Sequence, residues 1–229
     1  MRKIESKTQK AINDFNLIEN NDKITVGLSG GKDSLILLKA LAKIKKYYKK
    51  SFELIAIAVD ISNGKINFSK IKKFCQQLNV DFYVANSDIQ NIVFNIRKEK
   101  NPCSLCANLR RGILNSKAKE LGCNKVALAH HNDDLIETFL LNMLFEGRLS
   151  CFKPKTFLSR LEIEVIRPLI YVSEKEILDL SKDLPIVKNP CPANHKTQRE
   201  NMKKMILKIE KFQPEFKKRI FNIILNNIF

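Results

Sequence analysis

The run Ile24-Thr25-Val26-Gly27-Leu28-Ser29-Gly30-Gly31-Lys32-Asp33-Ser34, followed by Leu35-Ile36-Leu37-Leu38-Lys39-Ala40-Leu41, constrains the fold more than any other stretch of the chain. An apolar segment enters a glycine turn and a second apolar segment leaves it, which predicts strand, loop, helix. Two adjacent glycines let the backbone approach an anion closely. The first-turn amides of the following helix have no internal partners and point at whatever binds there. The predicted ligand is an oxyanion, foremost a nucleotide phosphate. A Walker A loop is excluded by spacing: only three residues separate Gly27 from Gly31, and Lys32 is followed by Asp33 rather than a hydroxyl residue.

The 229 residues, 44% of them hydrophobic, are enough for one large α/β domain with a small helical appendage. No apolar run approaches the roughly 20 residues that span a bilayer, and Met1-Arg2-Lys3-Ile4-Glu5 lacks the apolar core of a signal peptide. The expected compartment is the cytoplasm, with no membrane partner. A net charge of +17 predicts attraction to polyanions, with RNA the natural partner of a nucleotide chemistry. Lys far outnumbers Arg, so part of this charge belongs to overall composition rather than to one binding face.

Strand and helix signals alternate. An amphipathic helix over Ile4–Ile18 leads into the first strand, and Phe52–Asp60 is a continuous apolar run ending in an acid, as expected of a buried parallel strand. Helical spacing over Ile66–Leu78, a strand over Val80–Ala85 and a short helix over Ile89–Ile96 follow. Asn101-Pro102-Cys103 reads as a break, with a helix from Cys106 or Ala107 to Leu121 stopped by Gly122. Lys125–Ala129 is a further strand, delivering His130-His131-Asn132-Asp133-Asp134 at its carboxyl end. Two short strands near 156–166, a capping box from Ser173 to Glu176 and two basic helices over Thr197–Ile209 and Phe216–Ile228 complete the chain. This order predicts a parallel sheet covered on both faces, with ligands beyond the carboxyl ends of its strands, where the glycine loop, Asp60 and the His-Asp cluster fall.

His130, His131, Asp133 and Asp134 are readable as a metal cluster, a Mg2+ site serving a nucleotide, or a helix cap. Carboxylates suit Mg2+, which takes one or two of them plus phosphate oxygens. His131 fits a core or capping position and is not assigned to catalysis. Six cysteines in a chain expected in the cytoplasm do not form a disulfide framework. Cys75, Cys123 and Cys151 are isolated and read as structural. Cys103 and Cys106 form Cys-x-x-Cys, and Cys191 lies in Asn-Pro-Cys-Pro. Spacing leaves three readings open: a thiol pair for redox or persulfide chemistry, a Cys3His zinc site with Cys191 and His195, or an iron–sulfur cluster with one iron free of protein ligands. Spacing alone places zinc first.

Ser29-Gly30-Gly31-Lys32-Asp33-Ser34 resembles the pyrophosphate loop of the N-type ATP pyrophosphatases. Pro102-Cys103-Ser104-Leu105-Cys106, Leu109–Leu114, Ala127–Asp134, Leu141-Asn142-Met143, Ile166–Leu169 and Asn189-Pro190-Cys191-Pro192 follow in the order found in the tRNA 2-thiocytidine synthetase family. The resemblance spans about Lys23 to Met205 and implies a Rossmann-like PP-loop α/β fold with a helical C-terminal extension. It divides the chain into an N-terminal helix (1–22), a PP-loop ATP pyrophosphatase domain (23–170) and a helical part carrying the third cluster cysteine (171–229). It also implies a 4Fe-4S cluster on Cys103, Cys106 and Cys191 with the fourth iron open to sulfide, and thiolation at C2 of an anticodon-loop cytidine. The sequence departs from better-known members after Cys191, where no second cysteine follows closely.

On that resemblance, ATP is expected on Ser29, Gly30, Gly31, Lys32, Asp33, Ser34 and Asp60. Lys32 would counter phosphate charge, and Asp33 and Asp133 would position Mg2+ and serve catalysis. Arg110, Arg111 and the basic C-terminal helices are expected to meet tRNA phosphates. The expected sulfur source is a cysteine desulfurase or inorganic sulfide, and a homodimer is one assembly the sequence leaves open. The rival readings are a sulfurtransferase acting on another nucleotide or a small molecule through a cysteine persulfide, and a non-catalytic, zinc-stabilised RNA-binding module.

Overall fold

The computed structural model describes residues 1–97, 102–187 and 198–229. Helix α1 (Arg2–Asp14) precedes β1 (Asp22–Leu28), the loop, and α2 (Lys32–Ile44). Strand β2 (Phe52–Asp60), α3 (Ser69–Gln77) and β3 (Asp81–Asn86) form the next unit. A single turn, α4 (Ile89–Asn91), passes into a π-helical turn over Ile92–Ile96. Then come α5 (Pro102–Glu120), β4 (Lys125–Ala127), α6 (Asn132–Glu146), β5 (Lys155–Leu158), β6 (Ile163–Ile166), α7 (Glu174–Leu178), α8 (Gln198–Phe212) and α9 (Phe216–Asn227).

The sheet runs β3-β2-β1-β4-β6-β5 and is parallel except for the edge strand β5, which pairs antiparallel with β6. Alternation along β1 and β2 sorts the core. Ile24, Val26, Leu28, Leu54, Ala56 and Ala58 pack with α1, α2, α3, α6, α8 and α9, whereas Ile55, Ile57 and Val59 pack with α5 and the π turn. A strand buried on both faces has no polar positions to alternate, which is why β2 reads as an unbroken apolar run. Gly27 belongs to the α5 face, and a Cβ there would lie 2.6 Å from Leu114 Cδ2. The absent side chain therefore sets how closely α5 approaches the sheet.

Strand order reverses between β1 and β4, the switch point where doubly wound sheets open a crevice. The glycine loop follows β1 and the His-Asp cluster follows β4, so both meet there. At the opposite end, Lys125 Nζ is buried between Asp22 Oδ2 (3.0 Å) and Glu164 Oε2 (2.9 Å) and donates to the Leu17 carbonyl at 3.0 Å. Burial alone would lower the Lys125 pKa, but its bonds to Glu164 and Asp22 outweigh that and raise it.

Several boundaries differ from the sequence reading. Helix α1 ends at Asp14, before Asn16 in the left-handed region (φ 47°), leaving Leu17 and Ile18 buried in the connection. Helix α5 begins at Pro102, not at Cys106 or Ala107. Pro suits the first helical position because its missing N–H would have had no partner and its φ is already helical. Cys103 and Cys106 are consequently on the first turn of a helix. Cys75 and Cys123 are buried, as expected of structural thiols, and burial pushes Cys75 up to about 12. Ser173 and Glu176 form the expected capping box.

Candidate active site

The phosphate loop is held by its own serines. The Ser29 amide donates to Ser34 Oγ (3.2 Å), Ser34 Oγ donates to the Gly31 carbonyl (2.9 Å), and the Gly31 amide donates to Ser29 Oγ (3.2 Å). Gly30 takes φ 83°, which admits glycine and strains other residues. Gly31 caps α2 in an extended conformation with no side-chain cap, so the amides of Lys32, Asp33 and Ser34 remain as donors for an anion.

Lys32 Nζ lies 3.0 Å from Asp33 Oδ1 and 3.4 Å from Glu174 Oε1. Asp33 Oδ1 is buried without a hydrogen bond of proper geometry, and His131 Nε2 is 4.0 Å from it. His131 is the N-cap of α6: its Nδ1 accepts from the Asp134 amide, and its own amide donates to Asp134 Oδ2 at 3.0 Å. An accepting Nδ1 leaves the ring proton on Nε2.

Asp133 is fully engaged. Oδ2 accepts from the Glu174 amide (2.7 Å) and Oδ1 accepts from Lys217 Nζ (2.8 Å). Burial alone would raise its pKa, but these two partners outweigh it and hold the carboxyl below the usual range. Asp60, buried at the end of β2, accepts from the Ser62 amide and hydroxyl (2.8 and 2.7 Å) and from the Gly64 amide (3.0 Å). Both oxygens of its carboxylate are thus committed to shaping the loop after β2.

A cavity of about 620 Å3 separates the phosphate loop from α5; Ser29, Cys103, Arg110, Leu114, His130 and Arg199 are among its walls. Cys103 is exposed and Cys106 half-buried. Arg110 also lines a narrow crevice with Ser29, Val59, Ile61, Phe68 and Val187. Burial lowers the Arg110 pKa, against a smaller opposite effect of Cys106. Arg111 lines the same cavity as Cys103; it is exposed and donates to the Ala107 carbonyl and to Asn108. Cys191 and His195 lie outside the described residues.

Two features were not expected from sequence. His130 packs on Phe152 (ring centroids 4.9 Å apart), its Nδ1 is buried without a partner, and burial pushes its pKa down to about 4, so it is a neutral imidazole in the cavity wall. The basic C-terminal helices send Arg199 to Asp134 (3.0 Å) and Thr138 (2.9 Å), Lys203 to Glu174, and Lys217 to Asp133. An excess of Lys with no local pattern gave no signal for those destinations.

The donor set bears on the cofactors the resemblance implies. Among the described residues, no three His, Cys, Asp or Glu groups converge as a metal site. Asp33 Oδ1, buried beside the loop with Lys32 Nζ 3.0 Å away, is a carboxylate oxygen that would help hold a Mg2+ completed by phosphate oxygens once Lys32 turns aside. Two soft thiols at i and i+3 on the first turn of α5, one of them in the cavity wall, suit an iron–sulfur cluster whose third ligand comes from elsewhere in the chain.

A strand–loop–helix phosphate cradle at the switch point of a parallel sheet defines a nucleotide-binding α/β protein. A PP-loop domain profile matches residues 1–210. The tRNA-cytidine(32) 2-sulfurtransferase of Aliivibrio fischeri is 42% identical over 209 residues, covering 90% of this chain and 68% of the relative. Those of Methylobacillus flagellatus and Geobacter sulfurreducens are 39% and 36% identical, covering 96% and 98% of this chain and 74% and 90% of the relatives. Among solved structures, the U34-tRNA thiolase NcsA from Methanococcus maripaludis, with its 4Fe-4S cluster, matches at 27% identity with a TM-score of 0.78, covering 99% of this chain and 78% of that one. The chain belongs to the tRNA 2-thiocytidine synthetase family of PP-loop proteins.

Proposed function

We propose that this chain is an ATP-dependent tRNA sulfurtransferase that converts a cytidine of the anticodon loop to 2-thiocytidine. The observation that carries the reading is that Ser29 of the phosphate loop and Cys103 of α5 line one cavity. Activation and sulfur delivery then share a single space. The relatives named for this reaction on cytidine 32 support the substrate.

In the first step the cytidine C2 oxygen forms a bond to the α-phosphorus of ATP, and the bond to pyrophosphate breaks. The amides of Lys32, Asp33 and Ser34 hold the departing pyrophosphate, and Lys32, released from its carboxylates, offsets the growing charge. Asp33 would help hold a Mg2+, which would neutralise charge at the phosphates. Asp133 joins that role only by giving up Lys217 or the Glu174 amide; as folded it fixes α7 and α9 around the site. Asp60 contributes by holding the loop beside the nucleotide.

In the second step a sulfur nucleophile bonds to C2, the C2–O bond breaks, and AMP leaves. Cys103, Cys106 and Cys191 would hold a 4Fe-4S cluster, which would supply the sulfur as a nucleophile. Arg110 and Arg111 both line the cavity that holds Ser29 and Cys103; Arg110 would offer positive charge to the leaving phosphate, and the exposed Arg111 would meet the tRNA backbone. We take the sulfur source to be a cysteine desulfurase or inorganic sulfide, and the compartment to be the cytoplasm. No helix among the described residues is long and apolar enough to cross a membrane.

Iron content after anaerobic reconstitution tests the thiol assignment. Cys103→Ala, Cys106→Ala and Cys191→Ala are each expected to lose the cluster, while Cys75→Ala, Cys123→Ala and Cys151→Ala retain it. Full iron in Cys191→Ala, or stoichiometric zinc in a colourless protein, contradicts it.

A further inference from the structure

Outside the site above, the carboxyl ends of β2 and β3 enclose a second cavity of about 540 Å3. That volume lies within the roughly 300–1,000 Å3 of small-ligand clefts. Its walls include Asn63, Lys65, Asp88, Gln90, Asn91 and Phe94. We propose that this cavity takes an unpaired nucleotide of the substrate RNA that flanks the modified one, with its base against the amides and Phe94 and its phosphate near Lys65.

The wall chemistry favours a base over a free anion. Carboxamides present donor and acceptor together and match the edges of nucleobases, whereas Asp88 opposes an anion and Lys65 is, among the described residues, the single cation lining the cavity. The polar groups are pre-oriented: Asn95 Nδ2 donates to Asn91 Oδ1 and Asn91 Nδ2 donates to Asp88 Oδ2, each at 2.9 Å. No such bond occupies the side chains of Lys65 or Gln90 among the described residues, so both remain for a ligand. The wall bearing Phe94 and Asn95 is the π-helical turn Ile92–Ile96, a distortion of helical register that recurs at functional sites.

Position links this cavity to the reaction. The loop after β2 has two sides: Ile61 and Ile66 face the crevice containing Ser29 and Arg110, and Ser62, Asn63 and Lys65 face the second cavity. Asp60 pins the loop between them through Ser62 and Gly64. Single-stranded RNA loops are read through splayed bases stacked on aromatic rings and bonded at their edges, and a neighbouring nucleotide one loop away from the reacting one fits that mode.

The inference rests on the proposed tRNA thiolation, and the test separates the two. Gln90→Ala and Lys65→Ala, in the full cluster-loaded chain, are expected to weaken tRNA binding about ten-fold each, the loss of one or two hydrogen bonds to the ligand. The rate at saturating tRNA and ATP binding without RNA are expected to stay unchanged. A photoreactive side chain at Asn63 should crosslink to one nucleotide of the anticodon loop. Wild-type tRNA affinity in both variants, or crosslinks outside that loop, overturns the second site while leaving thiolation standing; a wild-type chain that neither binds nor thiolates tRNA overturns both.

Discussion

The Val187 amide donates to the Gly30 carbonyl oxygen at 3.0 Å, tying the segment that precedes Cys191 to the turn of the phosphate loop. Val187 itself lines the narrow crevice that Ser29 and Arg110 share, so this bond fixes one wall of the crevice against the phosphate loop.

A Cβ on Gly30 would lie 3.3 Å from Val187 Cβ and demand a left-handed backbone. Gly30→Ala is expected to cost about 1–2 kcal/mol in denaturant unfolding and to abolish RNA-dependent pyrophosphate release. Gly31→Ala, with φ −84° and only Ser29 Oγ at 3.4 Å, is expected to cost less stability.

Lys125 gives a stability prediction remote from chemistry. Lys125→Met leaves Asp22 and Glu164 without their shared buried cation, and the expected loss is about 3–5 kcal/mol in chemical denaturation. ATP affinity of the folded fraction should not change.

Lys217 offers an acid-limb test. Asp133 has a lowered folded pKa, so it contributes stability above its ordinary value of 3.8 that is lost as pH falls. Lys217→Gln removes the charge partner. The variant is expected to lose about 1–3 kcal/mol at neutral pH and to unfold at higher pH in an acid titration than the wild type.

Glu137 carries the opposite sign. Burial raises its pKa from 4.5 to about 7, against the lowering effect of Arg199. Between those values the native state holds a proton that the unfolded chain has released, so this group's contribution to stability falls as pH rises and levels off above 7. Glu137→Gln is expected to remove that decline, on the order of 3 kcal/mol across the window. Melting temperatures of both proteins at pH 5 and pH 8 check it: the variant should gain on the wild type as pH rises.

What the sequence made legible was local. The loop, the unbroken β2 run and the Ser173–Glu176 box are each specified within a few residues, and each is found in the structure. Pro102 misled because proline breaks a helix interior yet suits its first position. Asp133 was legible as a residue at a strand end, but its partner Lys217 lies 84 residues away, and Arg199 reaches Asp134 across 65. Such pairings arise when α8 and α9 pack against α6, and no periodicity records them. The same holds for His130, whose neutral state depends on burial against Phe152, a residue of a connection without regular structure.

The most direct test of activation and sulfur delivery in one cavity is nucleoside mass spectrometry of tRNA incubated anaerobically with the cluster-loaded chain, ATP, Mg2+ and sulfide. The expected product is 2-thiocytidine, formed in equal amount with AMP and pyrophosphate and absent with Asp33→Ala. Pyrophosphate release without a thiolated nucleoside, or sulfur found on uridine and not on cytidine, would contradict the account.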